Sequence, residues 1–169
     1  MILFHRIENK KWTGNCNTPE EVEKALQGIE IVTFDGVYTS VYHQRELLRY
    51  AKARVILFVM GDYMGKDNFF DSGEPLTNFC TWEQIFELKM DYGCEIGWHT
   101  WSHRNLCELD DQEVIGELKT PFQMDHFAYP YGNVDDRVEA LVKESGFNQA
   151  WSVDQGNGST FQQKRRYWA

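Results

Sequence analysis

Short apolar runs alternate with amphipathic helical patterns along the whole chain. We predict strands from six apolar, β-rich segments: residues 2–7, 29–34, 55–60, 95–98, 126–131 and 149–153. Five helices are predicted from the 3.6-residue spacing of apolar positions: residues 20–26, 41–51, 81–92, 110–118 and 134–145. Strands that alternate with helices imply a parallel sheet in one α/β domain that covers residues 1–169. The long stretch 61–78 is rich in Gly, Asp and Asn and is predicted to be a surface loop.

Several helix ends carry capping signals. Thr18 precedes Pro19, and Glu21 follows three residues after it, which is the pattern of a capping box. Thr81 and Asp110 are predicted N-caps of two later helices. The helix that follows Thr81 shows one predicted apolar stripe, formed by Trp82, Ile85, Phe86 and Met90.

Charge and composition exclude several classes of protein. The net charge is −9, and a chain without a lysine and arginine cluster is a poor partner for nucleic acid. The basic run 164–166 is interpreted as a solvated tail. No secretory signal is visible at residues 1–6, and no apolar run reaches the ~18 residues of a membrane helix. We therefore expect a cytoplasmic protein that inserts into no membrane, and its four widely spaced cysteines suit reduced thiols.

Polar clusters follow three of the predicted strands. They comprise residues 33–36, 99–103 and 129–132. Active sites of parallel α/β folds lie at the carboxyl ends of the strands, so clusters from different strands can converge on one cleft.

Two histidines in the second cluster have the spacing of metal ligands. His99 and His103 are four residues apart, so both rings can face one point in a helical turn or a tight loop. Neutral imidazole is a common ligand of zinc. Asp35 is the nearest candidate carboxylate and is interpreted either as a third ligand or as a general base. His5 can face the same cleft, although a strand histidine is more often a core residue, and that is the interpretation we favour from sequence.

These motifs resemble the polysaccharide deacetylases of the NodB-homology type, carbohydrate esterase family 4. Thr33-Phe34-Asp35 resembles the start of the T-F-D-D-G motif, the segment 99–103 resembles H-[ST]-x-x-H, and residues 127–132 resemble a third motif in its Y-P-Y-G form. The resemblance implies a distorted (β/α) barrel of parallel strands, which can be incomplete. It also implies a hydrolase that uses a divalent metal ion, usually zinc, to remove acetyl groups from a sugar or polysaccharide precursor.

The resemblance also implies roles for individual residues. A metal would be held by His99, His103 and an aspartate, and the aspartate at position 35 would activate water. The backbone N–H of Tyr131 would help to stabilise the oxyanion. For the sugar itself we expect contacts from Trp101, Trp151, Tyr131 and Pro130 at the rim of the cleft.

The chain departs from the family pattern at three points. Gly36 stands where the second aspartate of the motif would be, and Ala128 replaces an arginine of the third motif. No histidine follows His126, so the late catalytic acid of the family has no counterpart; His5 or a water molecule would have to replace it.

The missing carboxylate leaves three interpretations open. Asp35 can shift to bind the metal while another group acts as the base, or the two histidines and solvent can hold the metal alone. Alternatively, the domain has lost hydrolysis and is a carbohydrate-binding or scaffolding domain in surface-polysaccharide biosynthesis. A further, weaker possibility is a pure metal-binding or interaction protein in surface-polysaccharide assembly.

Overall fold

A computed structural model of the chain describes residues 1–9, 15–71 and 73–168. Within them, a seven-stranded sheet has the spatial order β8-β7-β6-β5-β4-β1-β9, and every neighbouring pair is parallel. The strands of this sheet are β1 (Ile2–Phe4), β4 (Ile31–Asp35), β5 (Arg54–Val59), β6 (Glu95–Trp98), β7 (His126–Ala128), β8 (Gln149–Trp151) and β9 (Arg166–Tyr167). The predicted incomplete barrel of parallel strands is confirmed.

The helices lie in the connections between strands. They are α1 (Pro19–Gly28), α2 (Thr39–His43), α3 (Trp82–Tyr92), α4 (Asp111–Leu118) and α5 (Asp136–Glu144). The predicted capping box at Thr18 is confirmed. The predicted N-caps Thr81 and Asp110 are also confirmed, and each of them forms a complete capping box. The helix predicted over 41–51 is shorter than expected, because α2 ends at His43 and a 3₁₀ turn follows over Arg45–Leu48.

Three strand predictions were too long, including the segment 149–153, in which β8 ends at Trp151. The segment 2–7 divides at His5 into β1 and β2 (Arg6–Ile7), and β2 pairs with β3 (Cys16–Asn17) in a separate two-stranded sheet. The segment 126–131 stops at Ala128, because Pro130 has no N–H to donate to a ladder and begins a 3₁₀ turn.

The C-terminal segment joins the two edges of the curled sheet. Gln163 forms a parallel bridge with Trp151 of β8, and β9 then pairs with β1 through Ile2 and Leu3. The interpretation of 164–166 as a solvated tail was therefore wrong for Arg165, although Lys164 and Arg166 are exposed. Arg165 has an exposed fraction of 0%, because it lies between these two attachments and its side chain enters the barrel.

Alternate residues of the strands pack on opposite faces of the sheet. In β5, Val55, Leu57 and Val59 belong to the large core beneath the helices, whereas Ile56 and Phe58 belong to a smaller interior cluster. On α3 the predicted stripe was partly wrong. Ile85 is buried, but Phe86 is 42% and Met90 77% exposed, and Leu88 takes the second buried position.

None of the helices within residues 1–9, 15–71 and 73–168 combines the length and the apolar content that crossing a membrane requires.

Candidate active site

The three polar clusters meet in one cavity at the carboxyl ends of the strands. The cavity measures about 210 Å³. The acidic, basic and histidine side chains that line it are His5, Asp35, Asp71, His99, His103 and Arg165. Its aromatic wall is formed by Tyr38, Phe70, Phe79, Tyr129, Tyr131 and Tyr167. Charged and neutral polar groups are therefore enclosed by apolar rings, which strengthens electrostatic interactions inside the cavity.

Asp35, the last residue of β4, forms a buried bidentate ion pair with Arg165. Nη1 and Nη2 of the arginine donate to the two carboxylate oxygens at 2.6 and 3.0 Å. The remaining guanidinium donors reach Thr33 Oγ1 at 3.1 Å and the carbonyl of Ser152 at 3.1 Å. Burial acts to raise the pKa of Asp35, but the guanidinium and His99 outweigh it and hold this pKa below its usual value. Asp35 is therefore a carboxylate at neutral pH.

Arg165 is a residue of the site that the sequence interpretation missed. It lies 130 positions from Asp35 in a run of three basic residues, where composition suggests a solvated face. The signal that could have indicated it is the absence of an arginine at Ala128. The resemblance noted from the sequence implies an arginine at that position in some members, so a cation for this cleft would have to come from elsewhere in the chain.

His99 and His103 face each other across the cavity floor. Their Nε2 atoms lie 3.2 Å apart. Nδ1 of His99 donates to the carbonyl of Ala128 at 2.7 Å, so the lone pair of a neutral His99 ring is on Nε2. Burial lowers the pKa of both histidines, that of His103 to about 3 with a further contribution from the neighbouring His99. Two neutral imidazoles with this geometry present nitrogen atoms to a common point.

Glu117, a residue of α4, holds the loop that carries the two histidines. Its carboxylate accepts from the backbone N–H groups of Trp101 and Ser102 at 2.8 and 3.0 Å and from the Ser102 hydroxyl. Glu117 is 9% exposed, so these bonds form largely out of water. Its sequence position on a helix gave no indication of this contact.

His5 lines the cavity, and the favoured interpretation of a plain core histidine was wrong. The break between β1 and β2 falls at this residue and turns its ring towards the site, where it stacks on Tyr167 at 6.0 Å between centroids. Its Nδ1 is buried and has no hydrogen-bond partner among the described residues. Burial lowers the pKa of His5 to about 4, although the Asp35 carboxylate acts in the opposite direction.

The donor set offers two facing ligands for a metal ion but lacks the carboxylate. Within residues 1–9, 15–71 and 73–168, no three His, Cys, Asp or Glu side chains converge as a metal-binding group. Asp35 Oδ2 lies 3.8 Å from His99 Nε2, and both Asp35 oxygens accept from Arg165. Catalytic zinc sites commonly have three protein ligands, so the histidine pair fits such an ion and Asp35 does not complete the set.

Both the backbone conformation and the neighbouring side chains favour glycine at position 36. Its φ is +78°, a value that favours glycine, and a Cβ at this position would lie 3.0 Å from Cε1 of Phe79 and 3.3 Å from Cε of Met60. The local structure therefore has no ready space for the second aspartate of the motif.

Tyr131 lines the cavity in a strained backbone conformation. Its φ is 60°, its ring lies 4.7 Å from that of His103, and its side chain is 60% exposed. The other non-glycine residues with positive φ are Val37, Thr100 and His103, so all four in the described part of the chain fall within or beside the three polar clusters. Strain concentrated in this way is typical of functional sites.

Three other predicted sugar contacts lie outside the cavity lining. Trp101 packs edge-on against Trp98, 5.1 Å between ring centroids, over the open backbone of Gly61, and its Nε1 donates to the Lys119 carbonyl. Trp151 is fully buried in the barrel interior. Pro130 is also buried and begins the turn that carries Tyr131. Of the four predicted contacts, the structure brings only Tyr131 to the cavity.

Comparison with known proteins places these features in a family context. The sequence profile of the polysaccharide deacetylase family matches residues 24–150. Chitin deacetylase 1 of Saccharomyces cerevisiae is 29% identical over 118 residues, which are 64% of this chain and 34% of that protein. Chitin deacetylase 1 of Cryptococcus neoformans is 32% identical over 84 residues, 43% of this chain and 18% of that protein. The chain thus spans about a third or less of the length of these relatives.

Solved structures share the fold over nearly the whole chain. A deacetylase of Streptococcus pyogenes in complex with acetate superposes with a TM-score of 0.73 at 17% identity, covering 98% of this chain and 90% of that one. A polysaccharide deacetylase from Bacillus cereus superposes with a TM-score of 0.77 at 16% identity, covering 99% and 63%.

Proposed function

The chain belongs to the polysaccharide deacetylase family, and from this premise we propose that it hydrolyses acetyl groups from an acetylated sugar chain. The observation that carries the proposal is the carboxylate of Asp35, kept ionised by Arg165, beside the facing nitrogens of His99 and His103 in one cavity. An ionised carboxylate next to neutral imidazoles is suited to general base catalysis of amide or ester hydrolysis.

The proposed reaction assigns one proton transfer to each of two residues. Asp35 accepts the proton of a water molecule that attacks the acetyl carbonyl; its oxygens have lone pairs beyond those that Arg165 uses. His5 is neutral at neutral pH, so its unpartnered Nδ1 can take over this proton from Asp35 and pass it to the leaving nitrogen, and both residues then return to their starting protonation states. We also propose that the backbone N–H of Tyr131 stabilises the oxyanion. The carbon–nitrogen bond breaks, and acetate and an amine are released.

Metal dependence is a separate part of the proposal. His99 and His103 would hold a divalent ion, with zinc as the candidate, through their facing Nε2 atoms, and groups other than protein carboxylates would fill the remaining positions. Such an ion would polarise the acetyl carbonyl. With two protein ligands we expect weak binding.

The charge of the molecule favours an uncharged, N-acetylated chain as the substrate. The net charge is −9, and Asp71 lies in the cavity wall, so anionic polymers would be repelled. Removal of an acetyl group from an amino sugar leaves an ammonium group, and the carboxylate of Asp71 in the cavity wall can accommodate this positive charge. The two fungal relatives named above are chitin deacetylases, and chitin oligomers are therefore the first substrate to test.

Acetate release from N-acetylglucosamine oligomers tests the proposal. We expect release by the unmodified chain with added zinc, a loss of at least about 100-fold in Asp35→Asn, as for removal of a general base, and a large loss in His99→Ala. The matched control is His43→Ala, an exposed histidine outside the cavity, which should retain full activity.

Metal content and activity separate the parts of the proposal. Elemental analysis of protein purified without chelator reports directly whether the histidine pair holds an ion. Activity that survives both chelation and His99→Ala would refute the metal-dependent part. Measurable binding of oligomers without release of acetate would instead indicate a carbohydrate-binding domain without hydrolysis.

A further inference from the structure

Two adjacent phenylalanines connect the cavity with the protein surface. Both lie in the loop between β5 and α3. The ring of Phe70 lines the cavity, 5.9 Å from the ring of His103. Phe69 meets Phe70 edge-on, at 6.4 Å and 85°, and its side chain is 76% exposed. An aromatic surface therefore continues from the histidine pair out to solvent.

The loop that carries these rings is braced. Asn68 is 1% exposed, its Oδ1 accepts from the backbone N–H of Thr77 at 2.7 Å, and its Nδ2 donates to the carbonyl of Pro75 at 3.3 Å. Asp67 and Asn78 form an antiparallel bridge at the base of the loop. The buried guanidinium of Arg6 holds the same Pro75 carbonyl at 3.0 Å. The bracing places Phe69 in water beside the cavity, and a large apolar ring in water gains free energy when a ligand covers it.

The size of the cavity limits how much of a polymer it encloses. At about 210 Å³ it is smaller than the roughly 300–1,000 Å³ of pockets that enclose drug-sized ligands. It is thus suited to one acetylated sugar unit, and the neighbouring units of a chain must lie outside it. A sugar ring has a flat face of C–H groups that packs on an aromatic ring, and hydroxyl groups at its edge. Asp67 Oδ1 accepts from the backbone N–H of Phe69 and Asp71 Oδ2 accepts from the Tyr38 hydroxyl, and the second oxygen of each carboxylate can accept from such sugar hydroxyls.

We propose that Phe69 is the stacking platform for the sugar unit next to the one whose acetyl group enters the cavity. This inference rests on the proposed deacetylase function and adds to it a residue that determines how strongly a chain is preferred over a single sugar unit. Phe70 is the inner part of the same surface and separates the platform from the reacting groups.

The test compares a long and a short substrate in Phe69→Ala. We measure kcat and KM for the N-acetylglucosamine tetramer and for the N-acetylglucosamine monomer. Stacking of aromatic rings contributes about 0.5–1.5 kcal/mol beyond area burial, which corresponds to about 2- to 12-fold in affinity. We therefore expect the ratio of kcat/KM for the tetramer to that for the monomer to fall by about this factor, through KM of the tetramer. Phe69→Tyr should restore the ratio, because it retains the ring.

The matched control is Tyr50→Ala. Tyr50 is an aromatic residue of similar exposure, 78%, that does not line the cavity. Tyr50→Ala should leave kcat/KM unchanged for both the tetramer and the monomer. A tetramer-to-monomer ratio that is the same in Phe69→Ala and the unmodified chain would overturn the inference, as would an equal loss for both substrates.

Failure of the proposed function would be recognised separately. If the unmodified chain releases acetate from neither substrate, tetramer binding measured by calorimetry replaces turnover as the readout. Weaker tetramer binding by Phe69→Ala than by the unmodified chain then supports the platform, and equal binding overturns it.

Discussion

At the scale of single residues, the site depends on a charge pair that is cut off from water. Arg165 and Asp35 are both nearly inaccessible to solvent, and the guanidinium donates two hydrogen bonds to Asp35 and one each to Thr33 and Ser152. A buried pair stabilises weakly in comparison with apolar replacements, yet the loss of one partner leaves an uncompensated charge. The pair is therefore better explained by its effect on Asp35, which it keeps ionised and fixed, than by the stability of the fold.

This leads to a prediction on Arg165→Met. We expect the free energy of unfolding to fall by about 3–5 kcal/mol, because Asp35 remains buried without its partner. The double variant Arg165→Met with Asp35→Asn should recover part of that loss, since no charge is then stranded. Urea unfolding measures both. The control is Arg49→Met, whose ion pair with Glu46 is exposed and should contribute under about 1 kcal/mol. Equal losses in the two arginine variants would contradict the interpretation.

At the scale of elements, local signals were predictable and long-range ones were not. Capping boxes at Thr18 and Thr81 depend on residues three positions apart, so the sequence indicates them directly. The strand β9 has two residues and no apolar pattern, and its position depends on pairing with β1. The same holds for Met90, which has the spacing of a core residue on α3 but 77% exposure, because burial depends on what packs against the helix.

In the candidate site, too, residues marked by local motifs were predictable, and residues that act through long-range contacts were not. His99, His103 and Asp35 were identified from motifs within single loops, and their convergence follows from the rule that parallel strands end at one edge of the sheet. Glu117 and Arg165 were missed, because each acts through a contact with a loop far away in the sequence.

The loop of the two histidines supplies a prediction at this scale. In Glu117→Ala, the N–H groups of Trp101 and Ser102 lose their acceptor, and an unsatisfied buried donor costs about 1–3 kcal/mol. We expect lower stability and a lower rate of acetate release, because the loop no longer fixes the rings of His99 and His103 in their facing positions. Glu117→Gln retains one acceptor oxygen. Its free energy of unfolding and its rate of acetate release should therefore lie between those of Glu117→Ala and the unmodified chain.

The control for that prediction is Glu144→Ala, an exposed glutamate at the end of α5. It should change neither unfolding nor acetate release. A Glu117→Ala protein with normal unfolding and normal kcat would show that the loop holds its conformation without the carboxylate.

At the scale of the whole molecule, the buried histidines make stability depend on pH. Burial lowers the pKa of His5 to about 4 and that of His103 to about 3, and it also lowers the pKa of His99. In the unfolded chain each histidine titrates near 6.5. Below about pH 6.5 the unfolded state therefore binds more protons than the folded state, and the free energy of unfolding falls as the pH falls. Above about pH 6.5 the histidines are neutral in both states, so their titration no longer lowers the free energy of unfolding.

The expected result is a plateau of stability above about pH 7 and a steady loss between about pH 6.5 and 4, with a slope of up to about 1.4 kcal/mol per pH unit for each such histidine. Urea midpoints measured with a chelator present, so that no metal ion contributes, test this. His5→Gln should reduce the slope in that window, whereas His43→Gln, which changes an exposed histidine, should leave it unchanged. If His5→Gln and the unmodified chain lose stability in parallel, folding does not lower the pKa of His5, and that result would contradict the buried, neutral ring described for the site.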